Sequence, residues 1–187
     1  MRLIQTTLFK LNIILSEGNS VINYRLAIKS ELTELKTFLF DHGQNPWNYL
    51  PVTGVDHEFN LVSQEKASIL LAIDGEQMAG FAIFYHPEVL PNQYLQYSNQ
   101  QLAIYIAEVV IHRQLAGQSI GHKLLSLIIE QAPDFGASLL LIDRHEENLA
   151  SAGMMRKAGF AELRTFVDLE RRDYGSRKTT VMAYQLS

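Results

Sequence analysis

Residues 108–125 read EVVIHRQLAGQSIGHKLL, and the fold turns on this stretch. Leu102–Ile111 is a nearly unbroken apolar run with one acid in it, the pattern of a strand buried on both faces. A short loop holding Gly117 and Gly121 follows. Ile120, Leu124, Leu127 and Ile128 then recur at helical spacing. Strand, glycine loop and amphipathic helix in that order bring consecutive backbone N–H groups to a helix N-terminus, an anion site by geometry. Glycine at 121 lets an anion approach where a Cβ would crowd it. Such junctions also serve packing alone, so the loop by itself leaves both readings open.

Downstream, Pro133 and Gly136 stop the helix, and Leu139–Ile142 (LLLI) is a second buried strand followed by Asp143. A short helix spans about 149–158 and ends at Gly159. Phe166–Glu170 and Thr180–Gln185 read as a closing hairpin around Tyr174-Gly175-Ser176. Upstream, Tyr24–Ile28 alternates as a strand, and Ser30 is placed to cap a helix over 31–40 carrying Leu32, Leu35, Phe38 and Leu39. A breaker-rich loop with Pro46 and Trp47 leads to a second helix at about 56–65. Ser68–Ile73 and Met78–Tyr85 flank Asp74-Gly75, a strong hairpin signal. Residues 86–100 read as a long mobile connection. The order β-α-α-β-β-β-α-β-α-β-β implies a mixed α/β sheet, with the unit over 102–142 parallel and right-handed.

The length, 187 residues, suits one domain, and 47% hydrophobic with 19% charged residues is a globular balance. A net charge of −4 disfavours nucleic acid as a partner. The absence of cysteine excludes Cys-ligated metal and any acyl-cysteine intermediate, and fits a cytoplasmic protein. No run reaches the ~18 apolar residues of a membrane helix. Leu8–Leu15 (LFKLNIIL) is broken by Lys10 and Asn12, so residues 1–21 are expected to be an N-terminal extension, an extra strand plus linker, ahead of a domain over 22–187. The apolar segment 3–15 could also pair across a homodimer.

A second block, Asn148, Ser151, Met154, Met155, Lys157, Gly159 and Phe160, follows the strand 139–142. Together the two blocks resemble the GNAT superfamily of N-acetyltransferases. The pyrophosphate loop of that family reads Arg/Gln-x-x-Gly-x-Gly/Ala. Its later block reads roughly Asn-x-x-Ala-x-x-Leu-Tyr-x-Lys-x-Gly-Phe, with Asn148, Lys157, Gly159 and Phe160 at matching spacing. The resemblance implies a three-layer α/β fold: a mixed, mostly antiparallel sheet, a splayed parallel strand pair, and helices on both faces. It also implies acetyl-CoA as co-substrate, no metal, a small-molecule or peptide amine as acceptor, and no membrane or nucleic-acid partner.

By the same resemblance, the backbone of Val109 and Ile111 would hold the pantetheine arm, with an amide near Val110 facing the oxyanion. Gly117, Gln118, Ser119, Ile120, Gly121 and His122 would cradle the pyrophosphate. Asn148 would bond the pantetheine, cap the following helix, or both. Three positions depart from the pattern. Ala116 replaces the long polar residue, Ser119 replaces the first loop glycine, and Met155 stands where the family carries a tyrosine that protonates the departing thiolate. These departures keep a second reading alive, a non-catalytic acyl-CoA-binding or regulatory module.

For the proton acceptor, Glu108 has two readings: a general base whose pKa burial raises, or a strand-end acid in solvent or on an arginine. Asp143 reads as a functional acid or as a turn residue. His112, His122 and His145 lack metal-ligand spacing, and His145 reads most simply as a solvated loop residue. The Arg171–Lys178 turn reads as a wet hairpin tip. Trp47, Tyr49, Tyr94 and Tyr97 could wall an acceptor pocket or pack locally.

Overall fold

A computed structural model describes residues 21–186. The extension expected over 1–21, with its extra strand and its pairing in a dimer, falls almost wholly outside them. The elements are β1 (Ile22–Leu26), α1 (Leu32–Gly43), α2 (Val52–Ser63), β2 (Ala67–Asp74), β3 (Gln77–Tyr85), a short α3 (Leu95–Ser98), β4 (Ala103–Ile111), α4 (Ile120–Gln131), β5 (Leu139–His145), α5 (Leu149–Lys157), β6 (Ala161–Val167) and β7 (Lys178–Gln185). The strands form one sheet in the order β1-β2-β3-β4-β5-β7-β6. Only β4 and β5 pair in parallel.

Alternation along the strands splits the core in two. Leu70, Phe84, Ile104, Ile106, Leu140 and Met182 pack under α4 and α5. Leu71, Phe81, Ile83, Tyr105, Leu141 and Val181 pack under α1 and α2 on the other face. The three-layer arrangement expected from the sequence is the one observed.

Local chemistry moved several boundaries. Ser30 does not cap α1: it lies in a 3-10 turn, Lys29–Glu31, where Glu31 accepts the Ile28 N–H at 2.8 Å and pairs with Arg25. α2 begins one turn earlier than its apolar pattern suggests, behind an extended Pro51. The expected mobile connection over 86–100 is built from 3-10 turns and α3. Tyr94 anchors it, fully buried and stacked on Tyr105 with ring centroids 4.3 Å apart.

Candidate active site

The parallel pair is short. β4 and β5 are in register only from Ala103↔Leu139 to Ile106↔Ile142, yet β4 runs on to Ile111 and β5 to His145. Beyond Ile106 the strands part and leave a crevice. His112 donates its N–H to the Ala79 carbonyl at 2.8 Å. The Val110 carbonyl lies against Gly80, 2.5 Å from where a Cβ would stand. The polar groups of Val110 therefore face β3, and strand alternation turns those of Val109 and Ile111 into the crevice.

A groove of about 560 Å³ opens on this side, lined by Val109, Val110, Ile111, Gly117, Ser119, Ile120, Gly121, His122, Asn148 and Lys157 among others. The first α4 N–H groups lack intrahelical partners by construction, and the first helical bond recorded is Lys123 N–H to Ser119 O at 3.0 Å. Gln118 is not among the residues lining the groove, and its N–H turns back to the Leu115 carbonyl at 3.4 Å. Ser119 holds φ 63°, ψ 11°, the left-handed region in which glycine is more at home. Its hydroxyl accepts from Lys157 Nζ at 2.9 Å, so α5 sends a cation to the anion loop. A Cβ on Gly121 would strike the Met154 sulfur first, so this glycine also lets α4 and α5 pack closely. Asn148 caps α5, accepting the Ser151 N–H at 3.0 Å. Met155 is fully buried in the core.

A second cavity, about 240 Å³, lies on the α1/α2 side of the crevice. The two share Asn48, Val109, Asn148 and Ser151. Glu108 reaches the second cavity because β4 carries a bulge: Ile83 pairs with Glu108, but Phe84 pairs with Ile106. The extra residue, Ala107, reverses the alternation. Glu108 then shares a face with Tyr105 and Val110 rather than with Ile104 and Ile106. Across the cavity, α2 contributes Glu58, a residue the sequence reading missed. Its Oε2 is buried with no hydrogen-bond partner among the described residues. Burial pushes the Glu58 carboxyl up to about 8. Burial, with Glu58 and Asp143 adding like charge, pushes Glu108 well above its ordinary range, against the pull of Arg172 and Arg171.

Asp143 lies inside β5 and not in a turn. Its Oδ1 receives Arg172 Nη2 at 2.8 Å. Its Oδ2 receives the hydroxyl of Tyr94, that of Tyr105 at 2.9 Å and Arg171 Nη1 at 3.2 Å. With its acceptor sites taken, it is the hub of a network rather than a free base. The same network draws Arg171 and Arg172 out of the expected wet hairpin, since Arg172 is buried and also donates to Thr179 Oγ1 at 2.9 Å and the Trp47 carbonyl at 3.1 Å, while Asp173, Tyr174, Gly175 and Arg177 are exposed as expected. His145 is fully buried rather than solvated. Its Nδ1 accepts the Glu147 N–H at 3.1 Å and its Nε2 lies 2.9 Å from the Tyr174 carbonyl, which assigns the neutral tautomer protonated at Nε2. Trp47 packs against both His145 and Tyr174.

The structure thus brings Glu108, Asp143, Val109 and Asn148 to one crevice and arranges the 117–122 loop beside it. Among the described residues no group of three or more His, Asp or Glu side chains could hold a metal ion, and no helix is long and apolar enough to cross a membrane.

A model of the acetyltransferase (GNAT) family matches residues 32–160. Among similar solved structures, yncA from Salmonella typhimurium, described as an acetyltransferase with its cofactor acetyl-CoA, has a TM-score of 0.70 at 18% identity, covering 90% of this chain and 95% of that one. A ribosomal-protein-alanine N-acetyltransferase from Brucella melitensis gives 0.69 at 19%, covering 88% and 99%. A polyamine N-acetyltransferase from Drosophila melanogaster gives 0.67 at 13%, covering 89% and 100%. These likenesses speak to the fold. No curated protein sequence matches the chain.

Proposed function

Because the chain belongs to the acetyltransferase (GNAT) family, we propose that it moves an acetyl group from acetyl-CoA directly to a primary amine of a small molecule or protein. One observation carries this reading. The anion-binding groove and the carboxylate-lined cavity meet at Val109, Asn48, Asn148 and Ser151, where the parallel strands part. Relatives described as acting on polyamines or on a protein alanine are further support for an amine acceptor.

The residues fit the co-substrate. The α4 N-terminus and Lys157 suit a pyrophosphate, and the outward backbone groups of Val109 and Ile111 suit an amide-bearing arm. Acetyl-CoA supplies an acyl group on a thiol of pKa about 8.5, already a tolerable leaving group. Glu108 takes the ammonium proton, directly or through a water, so that the neutral amine can attack. The N–H of Val109, turned into the crevice, is placed to stabilise negative charge on the carbonyl oxygen. Met155 has no proton to give, so the thiolate is protonated through solvent, which takes up the second proton that the nitrogen loses as the C–S bond breaks. With no cysteine in the chain, transfer is direct within a ternary complex.

Thiol release from acetyl-CoA over a panel of primary amines tests the proposal, with Glu108→Gln as the inactive control. The buried Met155 favours the second reading, a non-catalytic acyl-CoA-binding module. That reading requires calorimetric binding of acetyl-CoA with no amine-dependent thiol release.

A further inference from the structure

Resting on the acetyl-transfer reading above, we infer that Glu58 is the residue that binds the incoming ammonium, leaving Glu108 to take the proton, and that the acceptor is an amine with no carboxylate beside the amino group.

On α2, Val55, Phe59 and Leu61 are buried while Asp56, His57 and Asn60 are exposed. Glu58 lies within the inward stripe, where an acid is costly unless partnered. Its Oε2 has no hydrogen-bond partner among the described residues, and the side chain lines the cavity opposite the bulged strand. Glu58 and Glu108 both line the acceptor cavity and not the groove, but Glu108 adjoins Val109, which lines both spaces, and Glu58 stands on α2 across the cavity. Glu108 is therefore the carboxylate at the transfer point and Glu58 the one set back from it.

The cavity also holds three arginines, and their terminal nitrogens are committed. Arg172 gives Nε to Thr179, Nη1 to the Trp47 carbonyl and Nη2 to Asp143. Arg171 gives Nε to Asp168, Nη1 to Asp143 and Nη2 to Thr179. Arg144 spends its terminal nitrogens on Glu162 and the carbonyls of His145 and Glu146, while its Nε is buried with no hydrogen-bond partner among the described residues. A substrate carboxylate would find the terminal guanidinium nitrogens already bonded, with the buried Arg144 Nε left over, and would face Glu58, Glu108 and Asp143. An ammonium group would find two carboxyl groups, Glu58 and Glu108, that have no ion-pair partner among the described residues.

Binding is then linked to protons. The groups facing the pair are Asp143, Arg144 and His145 from β5, Arg171 and Arg172 from the segment before β7, and the hydroxyls of Tyr49, Tyr85 and Tyr105. None of them supplies Glu58 with an ion pair among the described residues. The empty site keeps Glu58 protonated near neutral pH, and an arriving ammonium displaces that proton to solvent. Ammonium affinity rises with pH until Glu58 is ionised.

The test uses the full chain. Thiol release from acetyl-CoA is measured with n-propylamine and with free α-amino acids from about pH 6.5 to 8.5, for wild type, Glu58→Gln and Glu58→Asp. The expected result is turnover of n-propylamine but not of α-amino acids, with a wild-type KM that falls as pH rises. In Glu58→Gln that slope is lost and KM at the upper pH rises about tenfold or more, while kcat stays within about threefold; Glu58→Asp recovers part of the affinity. An unchanged KM and slope in Glu58→Gln, or equal use of α-amino acids, overturns the inference. If no amine is turned over, the acetyl-transfer reading falls on its own. The role of Glu58 is then decided by titrating n-propylammonium in buffers of different ionisation enthalpy. Proton release by wild type that Glu58→Gln lacks upholds the role, and no difference overturns it.

Discussion

Arg172 Nη2 stands 2.8 Å from Asp143 Oδ1, and both side chains are less than a tenth exposed. A buried pair of this kind adds little over an apolar substitute, but breaking it strands the surviving charge. Asp143→Asn is therefore expected to cost roughly 3–5 kcal/mol, since it leaves Arg171 and Arg172 without their shared carboxylate. Urea unfolding checks this through a lower midpoint at unchanged m-value. A variant as stable as wild type but inactive would instead make Asp143 a catalytic acid.

Glu108→Gln should behave in the opposite way. Glu108 makes no ion pair among the described residues, and burial already disfavours its charge. Loss of the carboxyl should leave stability unchanged or raised, while kcat falls by about 10²–10⁴, the usual worth of a general base. The base must be deprotonated to act. Wild-type activity should thus rise with pH along a limb displaced above the ordinary carboxylate range, and that limb should vanish in the variant.

Glu58 also leaves a mark on stability that needs no substrate. Its folded pKa, about 8, lies above the unfolded value of about 4.3, so the folded state binds the extra proton. Its contribution to stability is fully present below the unfolded pKa and is lost as pH rises through the folded one. Glu58→Gln should raise the unfolding midpoint at about pH 8.5 and leave it nearly unchanged at about pH 4. Differential scanning calorimetry at the two pH values reads this directly.

The element order was legible because hydrophobic period and breakers report locally: two buried runs, a glycine loop and an Asp-Gly hairpin leave few topologies. The chemistry was less so. Strict alternation through residues 103–111 puts Glu108 on the α4 face with Ile104 and Ile106. One extra residue at Ala107 moves it to the other face, and nothing in the composition of AIYIAEVVI marks a bulge. Glu58 escaped because α2 starts behind Pro51 instead of a Ser or Asp cap. A helix begun at residue 56 makes Glu58 an ordinary first-turn acid, whereas one begun at 52 sets it three residues after Val55 and four before Val62. That spacing was the available signal. His145 and Arg172 look solvated in sequence because their partners, Tyr174 and Asp143, are 29 residues away in the chain.

Lys157 sits 2.9 Å from Ser119 Oγ at the anion loop, and it is the cation α5 brings to a loop that has Ala116 in place of a long polar side chain. A charge-assisted hydrogen bond is worth about 1.5–3 kcal/mol. Lys157→Ala should therefore weaken acetyl-CoA about tenfold or more by calorimetry at low salt. The loss should shrink as added salt screens the charge.

Gly80 tests whether the backbone of β4 is held in place from behind. A Cβ at this position would lie 2.5 Å from the Val110 carbonyl oxygen and 3.0 Å from the Ile111 Cα. Both are main-chain atoms and cannot rotate aside, so Gly80→Ala must push β4 toward the crevice. Overpacking of this sort costs typically 1–3 kcal/mol. The displaced segment is the one whose outward polar groups, on Val109 and Ile111, line the groove. Acetyl-CoA affinity should therefore fall together with stability. Gly153→Ala is the control for the unfolding measurement alone, since Gly153 itself lines the groove; nothing stands within 4 Å of its Cβ and alanine inside a helix gains roughly 0.5–1 kcal/mol over glycine. A Gly80→Ala protein that unfolds earlier yet binds acetyl-CoA normally would show that the groove does not depend on the seating of β4 against β3.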